Sequence, residues 1–498
     1  MAIVLLTLLW APAQLSAQIP SPTWGENISC IVFSHCAPCH HEGGIAPFSL
    51  MTYADAAPKA SVMAFVTDEG IMPPWKPDHK ANAFLGERVL SATEIFAFQQ
   101  WAAAGAPLGD TTDMLDQPVF GTAGIDTPDF TLKLPDYTIQ DLGPGNDDFV
   151  CVNTDMGNPT PAFMTAFELV PGGPVHHSLV AIQSDHPDTT QFCYSPTSKR
   201  VIAGWAPSAQ VFKLPDGMGI PILANSDIEV NLHFPHQNAG MLDSSRINMK
   251  LSFNPSLRKV RMERLLHHGF HIIGDLDSVE TSLGAPLVLP PDKVKTVWAY
   301  REAPQDMLLL SVNPHMHRLG KSMKVWAIFP DLTIIPLVSI DDWDPAWQGF
   351  YSYKKPIVVP AGTKMVARCV YDNTVLNPRN PNSPPQGVTS GGNASDEMLM
   401  LMAHVSDLEP GDEFLDFTDG SHIRFHHEKC DPEDPLARQA PFNDRWHSHL
   451  APGEVVVYDM TGRLIYQGQE SDLNRRNLRM EPYAFQRFSG VTVEMPVP

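Results

Sequence analysis

The chain has 498 residues, 43% of them hydrophobic, enough for several packed cores and roughly three or four domains. Its 34 Lys and Arg against 56 Asp and Glu leave a net charge of -22, which argues against nucleic acid as a partner and leaves no polybasic stretch for an anionic membrane. The 47 prolines and 33 glycines favour loop-rich β architecture over helical bundles.

Ala2–Trp10 is an apolar run followed by the small-residue site Leu15-Ser16-Ala17. Residues 1–17 read as a signal peptide, although no Lys or Arg precedes the run. The run is too short to span a bilayer, and no later stretch is long and apolar enough. Export would place the protein in the periplasm or outside the cell, where its seven cysteines can form disulfides.

Cys36-Ala37-Pro38-Cys39-His40 has the C-x-x-C-H spacing with which two thiols bond one haem covalently while His40 ligates the iron. A thioredoxin-like dithiol should sit near a βαβ pattern, and a structural zinc site needs a second ligand pair; neither is visible nearby. Met72, in Ile71-Met72-Pro73-Pro74-Trp75, is the expected sixth ligand. A Met opposite a His raises the haem potential, as an electron carrier needs. Met51, Met63 and His79 are competing ligands. Ser91–Ala104 is predicted to be an amphipathic helix with Ser91 as N-cap, Glu94 at the capping-box position and Gly105 as stop. Residues 20–110 thus resemble a small cytochrome c domain carrying one covalent c-type haem.

Residues 111–129, rich in Asp, Thr, Pro and Gly, read as a linker. Short β-like runs follow at Phe130–Leu134, Phe163–Leu169, Ser178–Ile182, Ile228–His233 and Ile247–Phe253. A second set includes Met307–Val312, Met323–Ile328, Ile334–Ile340, Lys364–Tyr371 and Glu397–Ala403. Turn residues punctuate both sets, the signature of antiparallel sandwiches. The expected fold is therefore multidomain: a small α-helical cytochrome c domain, two antiparallel jelly-roll-like β-sandwiches at 130–286 and 287–408, and a mixed C-terminal extension at 409–498. Within that extension Val455–Tyr466 reads as a hairpin turning at Thr461-Gly462.

His315 and His317, in Val312-Asn313-Pro314-His315-Met316-His317-Arg318-Leu319-Gly320, are two apart, so on a strand both imidazoles share one face. Such a pair suits copper, zinc, iron or nickel. The neighbours His176 and His177 can share an ion only with a bulge or turn, which Gly172-Gly173-Pro174 could supply. His233 ends an apolar run; a hydrogen-bonded core histidine is the competing reading, and His236 is an alternative ligand. Met398 would add a soft thioether that favours Cu(I), whereas Met400 and Met402 read as core filling.

Together, Glu168-Leu169-Val170-Pro171, Val175-His176-His177, Gly204-Trp205-Ala206-Pro207, Asn231-Leu232-His233-Phe234, Pro314-His315-Met316-His317, Tyr371-Asp372-Asn373 and Ser395-Asp396-Glu397-Met398 resemble, in the same order, the core of the copper type II, ascorbate-dependent monooxygenases. The resemblance implies two copper ions. His176, His177 and His233 would hold the electron-transfer copper, and His315, His317 and Met398 the oxygen-activating copper. It further implies hydroxylation of a C–H bond in a small substrate by O2; with the C-x-x-C-H motif added, an external reductant or redox protein is expected to supply electrons through the haem. The alternatives are a non-catalytic haem and copper protein that relays electrons or binds copper, and a secreted binding sandwich with vestigial histidines. The animal enzymes of that family lack a haem c domain, and their cysteine pattern is not reproduced. Cys151 is expected to pair with Cys193 and Cys369 with Cys430, leaving Cys30 unpaired. His267, His268 and His271 form a further cluster read as surface or loop histidines, with a third metal site as the alternative. The tail histidines His422, His426, His427, His447 and His449 have no assigned role.

Overall fold

The computed structural model describes residues 22–417 apart from short internal stretches, together with three later strands, Glu454–Tyr458, Leu464–Gln469 and Ala484–Gln486. The expected signal peptide, the tail histidines and Cys430 lie outside the described residues. The first two late strands are the expected hairpin, paired from Glu454↔Gln469 to Tyr458↔Leu464.

The chain forms two compact units. Of the described residues, the smaller contains those up to Pro74 and those of Leu90–Phe120; the larger contains Trp75–Val89, those from 121 to 417 and the three later strands. The smaller unit is helical. A run of helical turns from Trp24 to Cys36 is followed by α1 (Ala60–Asp68) and α2 (Ala92–Ala103). The expected N-terminus of α2 is present as a full capping box. Glu94 N–H donates to Ser91 Oγ at 3.2 Å, and Ser91 N–H donates to the Glu94 carboxylate at 2.7 Å, satisfying two donors that a helix start leaves open. Trp24, Ile28, Phe98 and Trp101 are buried at its core.

The larger unit is built of strands. Those that position the site are β1 (Phe130–Lys133), β2 (Asp148–Asp155), β3 (Ala162–Val170), β4 (His177–Gln183), β5 (Thr189–Phe192), β6 (Val201–Trp205), β7 (Met218–Ile222), β8 (Asp227–Phe234), β9 (Arg246–Ser252), β10 (Arg258–His267), β11 (Lys293–Glu302), β12 (Met307–His315), β13 (Gly320–Ile328), β14 (Ile334–Ile340), β15 (Tyr351–Val359), β16 (Lys364–Asn373) and β17 (Met400–Ser406). In the first sandwich a sheet ordered β1-β9-β3-β7 faces one ordered β5-β2-β8-β4-β6. Met164, Phe167, Ile220 and Ile247 of one sheet share a core with Val150, Val180, Val230 and Leu232 of the other. In the second, β10-β17-β12-β15 faces β11-β16-β13-β14, closing over Leu309, Val312, Leu401, Val325, Ala367 and Tyr371.

The sandwiches are continuous. β7 and β10 pair in parallel at Met218↔Arg258 and Gly219↔Lys259, so one sheet runs through both. Leu308 and Leu310 of β12 also point into the first core. Although β10 falls within residues 130–286, it pairs along its length with β17 of the second sandwich.

Cys151 and Cys193 are disulfide-bonded, with Cα atoms 5.6 Å apart. The other cysteine expectations are corrected. Cys369 is a free, fully buried thiol, because it occupies an inward position on the alternating strand β16 and packs in the second core. Cys30 is disulfide-bonded rather than unpaired, with a partner outside the described residues.

Candidate metal centre

Strand register brings the first cluster together. On the central strand β8, His233 lies opposite His177 on β4 and opposite Phe149 on β2. His176 precedes the start of β4, and its backbone N–H donates to the His233 carbonyl at 2.8 Å. The turn at Gly172-Gly173 places the pair. A Cβ on Gly172 would collide with the Ser244 backbone, and one on Gly173 would come 2.8 Å from the Leu242 carbonyl, so glycine is required for this close approach. Because regular strand geometry begins only at His177, the two neighbouring rings lie on one side, 4.0 Å apart between centroids.

The His176 and His177 Nδ1 atoms lie 3.5 and 3.4 Å from His233 Nδ1. Two nitrogens at that separation, each about 2.0 Å from one ion, would subtend about 120°. His233 Nε2 is 2.9 Å from Asp147 Oδ2. A carboxylate only accepts, so Nε2 carries the proton and the Nδ1 lone pair faces its two neighbours. Burial raises the Asp147 carboxyl, but the bonds from His233 and from His236 N–H hold it below its ordinary value. His236 contributes that backbone donor, and its ring lies outside the three-histidine cluster.

Strand β12 ends at His315. Met316 turns into the core at 0% exposure, and the His315 and His317 rings stand on the other side with centroids 5.1 Å apart. The two-residue spacing thus acts as expected, across the end of a strand rather than within it. His317 Nδ1 donates to the Asp396 carbonyl at 3.0 Å, which leaves Nε2 as its free lone pair. Burial pushes His176 down to about 3 and His317 to about 4, and holds His177 and His315 well below the usual histidine value. These imidazoles are therefore neutral at physiological pH, as metal ligation requires.

Both groups face one cavity of about 270 Å³. The His177 and His315 ring centroids are 6.1 Å apart, and His177 Nε2 is buried with no hydrogen-bond partner among the described residues. Met398 lines this cavity, and so do Met400 and Met402, which the sequence assigned to core filling. Met400 is the cross-strand partner of both His315 and His267. Two polar residues were missed from sequence: Asp147, and Glu397, whose fully buried carboxylate accepts the backbone N–H of His317, Leu319 and Met398. Burial pushes Glu397 up to about 8 despite those bonds. Only strand register could have revealed the first; the second lies inside a recognised motif but carries no spacing signal.

The His267, His268 and His271 cluster is built differently. His267 Nδ1 accepts from Gly269 N–H, and His271 Nδ1 accepts from His267 N–H. Those lone pairs are spent on backbone donors, and the cluster does not bring its ligand atoms together around one point.

In the helical unit Cys36 and Cys39 are both free, and burial raises the Cys36 thiol to about 12. His40 Nδ1 donates to the Phe48 carbonyl at 3.0 Å, leaving Nε2 as the available ligand atom. Met72 follows α1 at 39% exposure, whereas Met63 is buried in the helical core. His79 belongs to the larger unit.

The family model for the C-terminal domain of copper type II ascorbate-dependent monooxygenases matches residues 288–404, which include His315, His317 and Met398. The chain is also similar to peptidylglycine alpha-amidating monooxygenase of Rattus norvegicus, 23% identical over 308 residues, covering 59% of this chain and 29% of that protein. Residues 288–404 are thus similar to the C-terminal domain of a copper-dependent monooxygenase family. The chain spans under a third of the length of that relative. Among solved structures, allantoicase (11% identity, 45% of this chain, 78% of that chain) and a Paenibacillus xanthan lyase (8%, 59% and 28%) are similar only at TM-scores of 0.14 and 0.16, too low to bear on the fold.

Proposed function

We propose that this protein is a copper-dependent monooxygenase that hydroxylates a C–H bond of a small substrate with O2, drawing electrons through a c-type haem in its own helical unit. One observation carries the copper reading: a three-imidazole cluster and a two-imidazole pair flanked by thioethers face the same cavity. Bound copper would supply the one-electron redox chemistry that activates oxygen. His176, His177 and His233 would hold one ion through Nδ1, with Asp147 fixing the His233 ring. His315, His317 and Met398 would hold the other, the thioether favouring the reduced state. Cys36, Cys39 and His40 would attach the haem, with Met72 on its opposite face, so the helical unit would act as a cytochrome c-like domain fed by an external donor.

Neutral, buried imidazoles keep their lone pairs free without a competing proton. Export to the periplasm or outside the cell accords with the Cys151–Cys193 disulfide. No described helix is long and apolar enough to cross a membrane.

The test is to supply copper-loaded, reduced full-length protein with isotopically labelled O2 and a panel of small substrates. Labelled oxygen in a hydroxylated product is expected. Reduction and reoxidation of both metals with no labelled product would favour the non-catalytic electron relay.

A further inference from the structure

We infer that Glu397 is the positioning residue that joins the two chain segments of the His315, His317 and Met398 site. The inference rests on the reading that these residues hold copper. Glu397 is fully buried. Its Oε1 accepts Leu319 N–H at 2.6 Å, and its Oε2 accepts His317 N–H at 2.9 Å and Met398 N–H at 3.2 Å. One carboxylate therefore grips the backbone on both sides of the site: the turn carrying His317 and the segment carrying Met398.

The surrounding bonds leave that grip little slack. Asp396 offers its carbonyl to the His317 ring at 3.0 Å, and Tyr371 OH donates to the Met398 carbonyl at 2.8 Å. Glu397 itself is stitched to a neighbouring segment, its N–H donating to the Thr389 carbonyl at 3.0 Å and its carbonyl accepting Gly391 N–H at 3.2 Å. Residues 396–398 thus clasp 317–319: the Glu397 carboxyl bonds backbone N–H groups on both sides, and the His317 ring bonds back to the Asp396 carbonyl. A carboxyl group suits this task because each bonded neighbour is a donor and both of its oxygens can accept. A glutamine would aim an NH2 at backbone N–H groups and lose at least one bond. The spacing between the His317 ring and the Met398 sulfur would then rest on the His317–Asp396 and Tyr371–Met398 bonds and the cavity walls, without the direct grip of Glu397 on both backbones.

The test uses full-length protein loaded with Cu(I), a competition titration against a chelator, and X-ray absorption at the copper edge. Glu397→Gln should weaken Cu(I) at this site about 10- to 100-fold, the range typical of lost ligand-orienting partners, and should lose the copper–sulfur signal. The electron paramagnetic resonance signal of Cu(II) at the three-histidine cluster should stay as in wild type. Wild-type affinity and an intact sulfur signal in Glu397→Gln would overturn the inference. If that variant does not fold, Glu397→Asp takes its place: the carboxyl group is kept, but the shorter stem cannot reach both segments, and unchanged affinity would again overturn it. Met398→Ile is measured alongside. If it keeps the wild-type sulfur signal, the ligand reading itself has failed, an outcome distinct from a silent Glu397 with a sulfur signal that depends on Met398.

Discussion

Asp147→Asn probes how the first cluster is held. Both Asp147 oxygens are used, Oδ2 by His233 Nε2 at 2.9 Å and Oδ1 by His236 N–H at 2.9 Å. Asparagine offers one acceptor, so one of these donors meets an NH2 group instead. If His233 is the loser, its ring is freed to rotate or to change tautomer, and Nδ1 no longer faces His176 and His177 in the ligating form. Loss of such a partner weakens metal binding about 10- to 100-fold, or about 1.4–2.7 kcal/mol. Leaving a buried donor unmet costs a further ~1–3 kcal/mol of fold stability. Asp148→Asn is the control: its carboxylate bonds Tyr137 OH and Gln140 N–H and touches no cluster histidine. Copper competition titrations and denaturant melts of the two variants should separate. Asp147→Asn should lose affinity and stability, and Asp148→Asn stability alone. Equal copper affinity in wild type and Asp147→Asn would refute the argument that the carboxylate sets the His233 ring.

Replacing Cys151 and Cys193 together with Ala removes a crosslink between residues 42 apart, which the chain-entropy model puts at about 4 kcal/mol; an unchanged unfolding midpoint would contradict this. Asp412→Asn should cost about 1.5–3 kcal/mol, because Asp412 is buried and receives a bidentate bond from Arg258 at 2.6 Å. The Arg258 bond holds the Asp412 carboxyl below its ordinary value. Its contribution is therefore complete above the unfolded carboxyl value of about 4 and is lost as pH falls through the lower folded value. The gap in stability between wild type and Asp412→Asn should close in acid, and a gap that persists there would point to packing rather than charge. Acid–acetone extraction should leave haem absorbance on the protein through Cys36 and Cys39, and complete removal would reject covalent attachment. Met72→Ala should alter the low-spin spectrum and lower the potential; an identical spectrum would reject Met72 as the sixth ligand.

The parts of the site that were legible in the sequence are those with short-range grammar. The two-residue spacing of His315 and His317, the capping box at Ser91 and Glu94, and alternating runs such as Lys364–Tyr371 each encode their geometry locally. What was not legible depends on pairing at a distance. Arg258–His267 carries too many charges to read as a buried strand, yet Leu265 and Leu266 are buried in the second core and the strand pairs with Met400–Ser406. The role of Asp147 exists only because register places it beside the end of β8. Met400 reads as core filling until cross-strand pairing sets it opposite His315. The cysteine expectation failed for a similar reason: the pattern of strand β16 turns Cys369 inward, and separation along the chain says nothing of that.

Metal analysis of the purified full-length protein tests the two-centre account most directly. After saturation with copper and removal of the excess, wild type should retain two coppers per chain. His233→Ala should retain one, His315→Ala should retain one, and the copper lost should differ between them by its electron paramagnetic resonance signature. A wild-type protein that holds a single copper, or variants that each still hold two, would contradict it.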